Sequence, residues 1–123
     1  MFDTVFANSA SVRSGSSTCR VLGIDPGLTR CGFAVVDGRG ARGASAVSLG
    51  VITTPRTDAL PQRLAALRTE FTDLIAEFRP DVVAVEQVFF QVNVRTAMSV
   101  GQASGLALAE AALAGCDVIQ YTP

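Results

Sequence analysis

Asp25 and Glu86 share one local design. Val21-Leu22-Gly23-Ile24 runs straight into Asp25, and Val82-Val83-Ala84-Val85 runs straight into Glu86. Continuous Val/Ile/Leu runs without polar alternation fit strands covered on both faces, as in the parallel part of an α/β sheet. Ligands of open α/β sheets bind beyond the carboxyl ends of the strands. Neighbouring strands lie about 4.8 Å apart, so two such strands side by side bring both carboxylates to one edge. A pair of that kind attracts a divalent cation or shares a proton. Local alternatives stay open for each residue alone. Asp25-Pro26-Gly27 also fits an ordinary turn, and Glu86 also fits a strand end that meets solvent.

Other residues divide by position. Asp81 and Asp117 begin strands, so they belong at the opposite edge, about 17 Å away. Asp37 ends an antiparallel strand and points away as well. Glu70, Asp73 and Glu77 fall on a polar helix face. Gly23, Gly27 and Gly32 bracket Asp25 and either let a ligand approach the main chain or serve turn geometry and tight strand packing. Phe89-Phe90 follows Glu86 closely and reads as core or as a wedge that stacks on bases. Ala97, Gly101, Gly105 and Ala109 stand four apart. That small stripe fits packing on the sheet, the default, or a homodimer seam. The chain has no histidine, which excludes a Ser-His-Asp triad.

The elements that must position these residues follow from pattern. Strands are expected over 20–25, 32–36, 46–53, 81–86 and 117–121. Leu60, Leu64, Leu67, Phe71, Leu74, Ile75 and Phe78 form one helical stripe. Thr57 or Asp58 can cap that helix, Pro61 is tolerated in its first turn, and Pro80 stops it. A second helix is expected over 93–113. The order β-β-β-α-β-α-β gives a mixed five-stranded sheet of α/β type, with early hairpins and later parallel crossovers. Residues 1–19 read as a flexible tail of small polar residues, and 20–123 as the domain.

Composition bounds the function. The 123 residues, 49% of them hydrophobic, suffice for one domain with a modest core. No apolar run approaches the roughly 18 residues of a membrane span. Nothing at the start reads as a secretory or transit signal. Three scattered cysteines, without a CxxC pair, suit a reducing cytoplasm. The net charge of −1 gives nucleic-acid binding no bulk electrostatic support. All ten basic residues are arginine. Arginine suits phosphate, though genomic coding bias explains the usage equally.

With these residues in view, a family resemblance emerges. Val21 to Gly27 with Thr29-Arg30-Cys31-Gly32 resembles the first strand of RuvC-type Holliday junction resolvases. Val85-Glu86-Gln87-Val88-Phe89 resembles their fourth strand and following loop. Gly101-Gln102-Ala103-Ser104-Gly105 resembles their glycine-glutamine helix segment, and Tyr121-Thr122-Pro123 the end of their fifth strand. The resemblance implies a ribonuclease H-like fold, a homodimer and Mg²⁺-dependent cutting of four-way DNA junctions in recombination and repair. It makes Asp25 and Glu86 catalytic metal ligands. It places Phe89, Arg30 and Arg95 against DNA, and Ala97, Gly101 and Gly105 in the dimer seam. Branch-migration proteins are implied partners, and no membrane is.

The family continues past the Tyr-Thr-Pro segment into a last helix with further catalytic acids and basic residues. The chain is therefore expected to be C-terminally truncated, with that helix missing, and to bind DNA poorly and cut it hardly at all. Rival readings are a small ribonuclease H-like RNA-processing nuclease, an actin-like ATPase lobe, and a non-catalytic dimerisation or DNA-binding remnant.

Overall fold

The structure, a computed structural model, describes residues 18–87 and 93–122. Its elements are β1 (Cys19–Asp25), β2 (Arg30–Gly38), β3 (Ala44–Thr53), α1 (Leu60–Phe78), β4 (Val82–Glu86), α2 (Val94–Leu113) and β5 (Asp117–Tyr121), with a short 3₁₀ turn at Gly40–Arg42. The strands form one mixed sheet in the order β3-β2-β1-β4-β5. β1, β2 and β3 are antiparallel neighbours, while β4 runs parallel to both β1 and β5. This is the mixed α/β sheet the element order requires.

Two helices cover one sheet face. Leu22, Ile24, Cys31, Val35, Ile52, Val83 and Val85 point into that layer, against Leu67, Phe71, Leu74 and Ile75 of α1 and Ala103, Ala107 and Ala111 of α2. Side chains alternate along a strand, so Gly23, Asp25, Ala84 and Glu86 fall on the other face. There Leu49, Val47 and Val51 are exposed apolar side chains, Leu49 to 71%.

Pairing lengthens the strands beyond their sequence pattern. Arg30 and Cys31 join β2 because Thr53 and Ile52 of β3 lie opposite them. Neither Thr57 nor Asp58 caps α1. Its N-cap is Ala59, which makes no side-chain cap bond. Pro61 sits in the first turn, and Arg79 ends the helix in the left-handed conformation, just before Pro80. The second helix is capped by Asn93, whose side chain accepts from the Arg95 and Thr96 amides at 2.9 and 3.4 Å.

The edge opposite the strand carboxyl ends is tied by charge. Arg20 Nε and Nη2 donate to the two Asp37 oxygens at 2.8 and 3.0 Å, and Nη1 donates to the Phe78 carbonyl at 3.1 Å. Asp81 accepts the Arg20 amide at 2.8 Å. These acids are structural and far from Asp25, as the strand directions require.

Cys31 is fully buried in the helix-covered layer. Burial pushes its thiol up to about 11, opposed by a backbone hydrogen bond from Gly27 and aided by the charge of Asp25. Folding therefore favours the neutral thiol. That contribution to stability holds below the ordinary value of 9.0 and is lost as pH rises through about 11. At pH 8 its thiolate fraction is about 100-fold below that of an ordinary thiol. Alkylation of the native chain at pH 8 should modify the half-buried Cys19 well before Cys31. Equal rates at both would contradict the buried placement.

Candidate active site

The parallel register of β1 and β4 builds the site. Ile24 lies opposite Val85, so the next residues, Asp25 and Glu86, are level and on one face. The same row extends outward. Asp25 lies opposite Gly32 of β2, and Glu86 lies opposite Tyr121 of β5. Two carboxylates and a phenol thus line the carboxyl edge of three adjacent strands. The Gln87 amide donates to the Tyr121 carbonyl at 2.6 Å, which holds β4 and β5 together just past the row.

Electrostatics mark the pair. Burial at the strand end pushes the Glu86 carboxyl above its usual range, and the hydrogen bond and like charge of Asp25 push it further. Burial likewise raises the Tyr121 phenol, followed by the charges of Glu86 and Asp25. Two like charges in contact favour a shared proton or a cation between them. Asp25 itself is exposed. Among the described residues it makes no hydrogen bond to the turn that follows it, so turn chemistry does not account for its side chain.

The donor set suits a hard cation. Both candidate donors are carboxylates, the chain lacks histidine, and Cys31 belongs to the opposite face. Oxygen-only donors are the Mg²⁺ pattern, in which waters complete the octahedron. Among the described residues no three acidic, cysteine or histidine side chains gather. Asp25 and Glu86 would therefore hold an ion with most of its positions left to water or other ligands.

A Cβ on Gly32 would stand at an ordinary 3.6 Å from the Asp25 Cβ, so crowding does not require glycine there. One on Gly23 would meet the Ala34 carbonyl at an ordinary 3.8 Å, so tight strand packing is not what requires glycine there. Gly27 is different, because a Cβ would collide with the Arg30 carbonyl oxygen in the turn that follows Asp25. Backbone cannot yield as a flexible side chain does. Gly27→Ala should cost about 1–3 kcal/mol in chemical denaturation and displace Asp25. A change under 0.5 kcal/mol would show that the turn is not held as described.

The other expected residues separate. Arg30 and Arg95 are exposed and line one cleft with Arg56 and Arg63. Ala97, Gly101 and Gly105 lie along the outer side of α2, where a Cβ on either glycine would meet nothing within 4 Å. The default of packing on the sheet is thus corrected. A different small stripe, Ala103, Ala107 and Ala111, faces the core. Phe89 and Phe90 lie outside the described residues, as does the tail before Thr18. Sequence reasoning missed Tyr121 as part of the row. Its signal was the strand end itself, since a strand over 117–121 parallel to β4 finishes at the same edge. Arg56 and Arg63 gave no such signal.

A mixed sheet in this order, with helices on one face and acids at the carboxyl ends of two adjacent parallel strands, defines the ribonuclease H-like class. The chain belongs to the RuvC family, whose model, crossover junction endodeoxyribonuclease RuvC, matches residues 21–123. The RuvC of Salinispora arenicola is 54% identical over 104 residues, covering 85% of this chain and 59% of the relative. That of a Parafrankia species is 50% identical, covering 85% and 58%. The chain thus spans somewhat over half the length of these relatives. Among solved structures, Thermus thermophilus RuvC in complex with a Holliday junction substrate superposes with a TM-score of 0.80 at 35% identity, covering 85% of this chain and 64% of that one. The yeast mitochondrial Holliday junction resolvase shares the fold, at a TM-score of 0.62 and 17% identity over 85% of this chain and 53% of that one.

Proposed function

We propose that the chain carries the carboxylate edge of a structure-specific endonuclease that resolves four-way DNA junctions by Mg²⁺-dependent phosphodiester hydrolysis. The observation that carries this reading is the level, like-charged contact of Asp25 and Glu86 across parallel strands. Asp25 and Glu86 would hold such an ion, which would supply Lewis-acid polarisation of a phosphoryl oxygen and a more acidic water. Tyr121 bounds the row as a phenol whose proton burial and the neighbouring carboxylates hold more firmly than usual. Arg30 and Arg95 contact the DNA backbone, and Phe89 is the base-stacking wedge. The family match and the junction bound to the Thermus relative support the choice of substrate.

The test compares a four-way junction with a linear duplex of the same sequence, under Mg²⁺. Cleavage by the chain should be slow, because two carboxylates are what the described residues bring to the edge. It should still be confined to the junction and exceed that of Glu86→Gln. Equal cutting of the linear duplex would contradict junction specificity. Cutting of single-stranded RNA instead would favour an RNA-processing nuclease.

The same reading includes a homodimer through α2. Val94 and Met98 are exposed to 75% and 61% beside Ala97 and Gly101, a small apolar stripe turned outward. Gly101→Leu should abolish association in light scattering. It should also raise monomer stability by up to about 1 kcal/mol, because leucine is the better helix former and has open space. A wild-type chain that stays monomeric at high concentration would contradict the seam. Branch-migration proteins as partners rest on the family resemblance. Among the described residues no helix is long and apolar enough to cross a membrane.

A further inference from the structure

Asp25 inherits its position from its main chain. Its side chain is exposed, and among the described residues the group bonded to it is Glu86, a carboxyl of like charge. Directly after Asp25 the chain turns through residues 26–29 and returns as β2, with Gly32 opposite Asp25. Whatever fixes that turn fixes where the first carboxylate of the row stands.

The turn is held from outside. The Thr54 amide donates to the Thr29 carbonyl at 3.2 Å, and Thr54 Oγ1 donates to the Leu28 carbonyl at 2.5 Å. Thr54 is only 3% exposed. Arg63, in the first turn of α1, ties the two threonines together. Its Nε donates to Thr54 Oγ1 at 3.0 Å and its Nη2 to Thr29 Oγ1 at 2.9 Å. One branch thus runs from the guanidinium through a buried hydroxyl to a turn carbonyl, and the other grips the next residue of the turn.

Helix stability does not account for an arginine at this point. A cation in the first turn of a helix opposes the helix dipole. The partners of Arg63 are neutral, and among the described residues it forms no ion pair. The half-buried guanidinium therefore loses hydration without a counter-charge. What it supplies is geometry. Its planar fork spans two hydroxyls at a fixed separation, which the single ammonium of lysine does not reproduce.

We propose that Arg63 is a positioning residue for the carboxylate row, fixing through Thr54 and Thr29 the turn that sets Asp25 level with Glu86. The proposal rests on the cation reading above. Arg63 lines the cleft on the helix side of the edge, and neither Asp25 nor Glu86 does. It acts on the site through the main chain. A ligand set must be held to within about 0.5 Å, and loss of an outer-shell support typically costs about 10–100-fold in metal affinity. The direction is diagnostic. Deleting a positive charge would by itself strengthen the binding of a nearby cation, whereas losing the support weakens it.

The experiment measures Mg²⁺ affinity from the carboxyl-carbon NMR signals of Asp25 and Glu86, with urea denaturation of each variant to correct for the folded fraction. Arg63→Gln and Thr54→Val should each weaken Mg²⁺ by about 10–100-fold. The double variant should lose no more than the worse single one, because the two side chains act as one unit. Arg63→Lys, which keeps the charge without the fork, should fall with Arg63→Gln. Thr54→Ser, which keeps the hydroxyl, should retain the wild-type affinity. In the metal-free Arg63→Gln chain the amides of residues 28–30 should exchange faster, while those of β4 and α2 keep their rates. Mg²⁺ affinity unchanged or raised in folded Arg63→Gln would overturn the proposal and leave the cation reading standing. Equal loss in Thr54→Ser and Thr54→Val would also overturn it, and that pair decides alone should Arg63→Gln not fold. Silence of Asp25 and Glu86 toward Mg²⁺ in the wild-type chain would overturn both readings.

Discussion

Glu86→Gln is expected to make the metal-free chain more stable while removing its divalent-cation affinity and its cleavage. The sign follows from the raised Glu86 carboxyl, shifted first by burial and then by Asp25. A carboxyl raised by folding contributes fully below its unfolded pKa and loses that contribution as pH rises through the folded value. At neutral pH the charged pair therefore opposes folding. A neutral amide of the same shape removes the repulsion, so Tm should rise at pH 7. The gain should vanish at pH 4 and below, where Glu86 is protonated anyway. Loss of function should be large. Outer-shell partners of metal ligands alone cost about 10–100-fold, so loss of a ligand should cost at least about 100-fold in cleavage. A structural glutamate would behave oppositely, and a fall in Tm at pH 7 would mark it as one.

Phe71→Ala should be the most damaging single change to the fold. Phe71 is fully buried at the centre of α1, in the layer that includes Leu22, Ile24, Val83 and Val85. Those four residues directly precede or flank the acid-bearing strand ends. Truncating a buried phenylalanine to alanine typically costs about 3–5 kcal/mol, from lost transfer energy and the cavity left behind. That is a large share of the stability of a small domain. Denaturation in urea should show the midpoint falling with little change in slope. Cation binding should weaken in step, because the layer that aligns β1 with β4 loosens. A cost under 1 kcal/mol would show that α1 does not anchor the sheet as described.

The two acids were legible because their signal is local: an unbroken apolar run, then a carboxylate, twice. Strand order was accessible by rule, since short connections favour hairpins and helical crossovers demand parallel neighbours. Pairing decided the rest. β2 reaches Arg30 at one end and Gly38 at the other because β3 supplies partners there, and residues 20–53 carry no periodicity that marks those ends. The α1 cap was misread because Thr57 and Asp58 are good capping types, yet the helix begins after Ala59. On α2 two small stripes coexist, Ala97-Gly101-Gly105 and Ala103-Ala107-Ala111. Both have the spacing for close packing, and the position of α1 and the sheet decides which one is buried. The arginine cleft was invisible for a related reason. Its residues lie at 30, 56, 63 and 95, and no local pattern links them until the sheet edge and both helix starts converge.

A Mg²⁺ titration of the purified chain, followed by NMR of the side-chain carboxyl carbons, tests the central claim most directly. The Asp25 and Glu86 signals should shift together with one weak binding constant, the ring signals of Tyr121 should follow, and Asp37 and Asp81 at the far edge should stay still. In Asp25→Asn the Glu86 response should be lost or weakened about 100-fold. Mg²⁺ shifts at other acids with Asp25 and Glu86 silent, or a full Glu86 response in Asp25→Asn, would contradict a shared cation site at this edge.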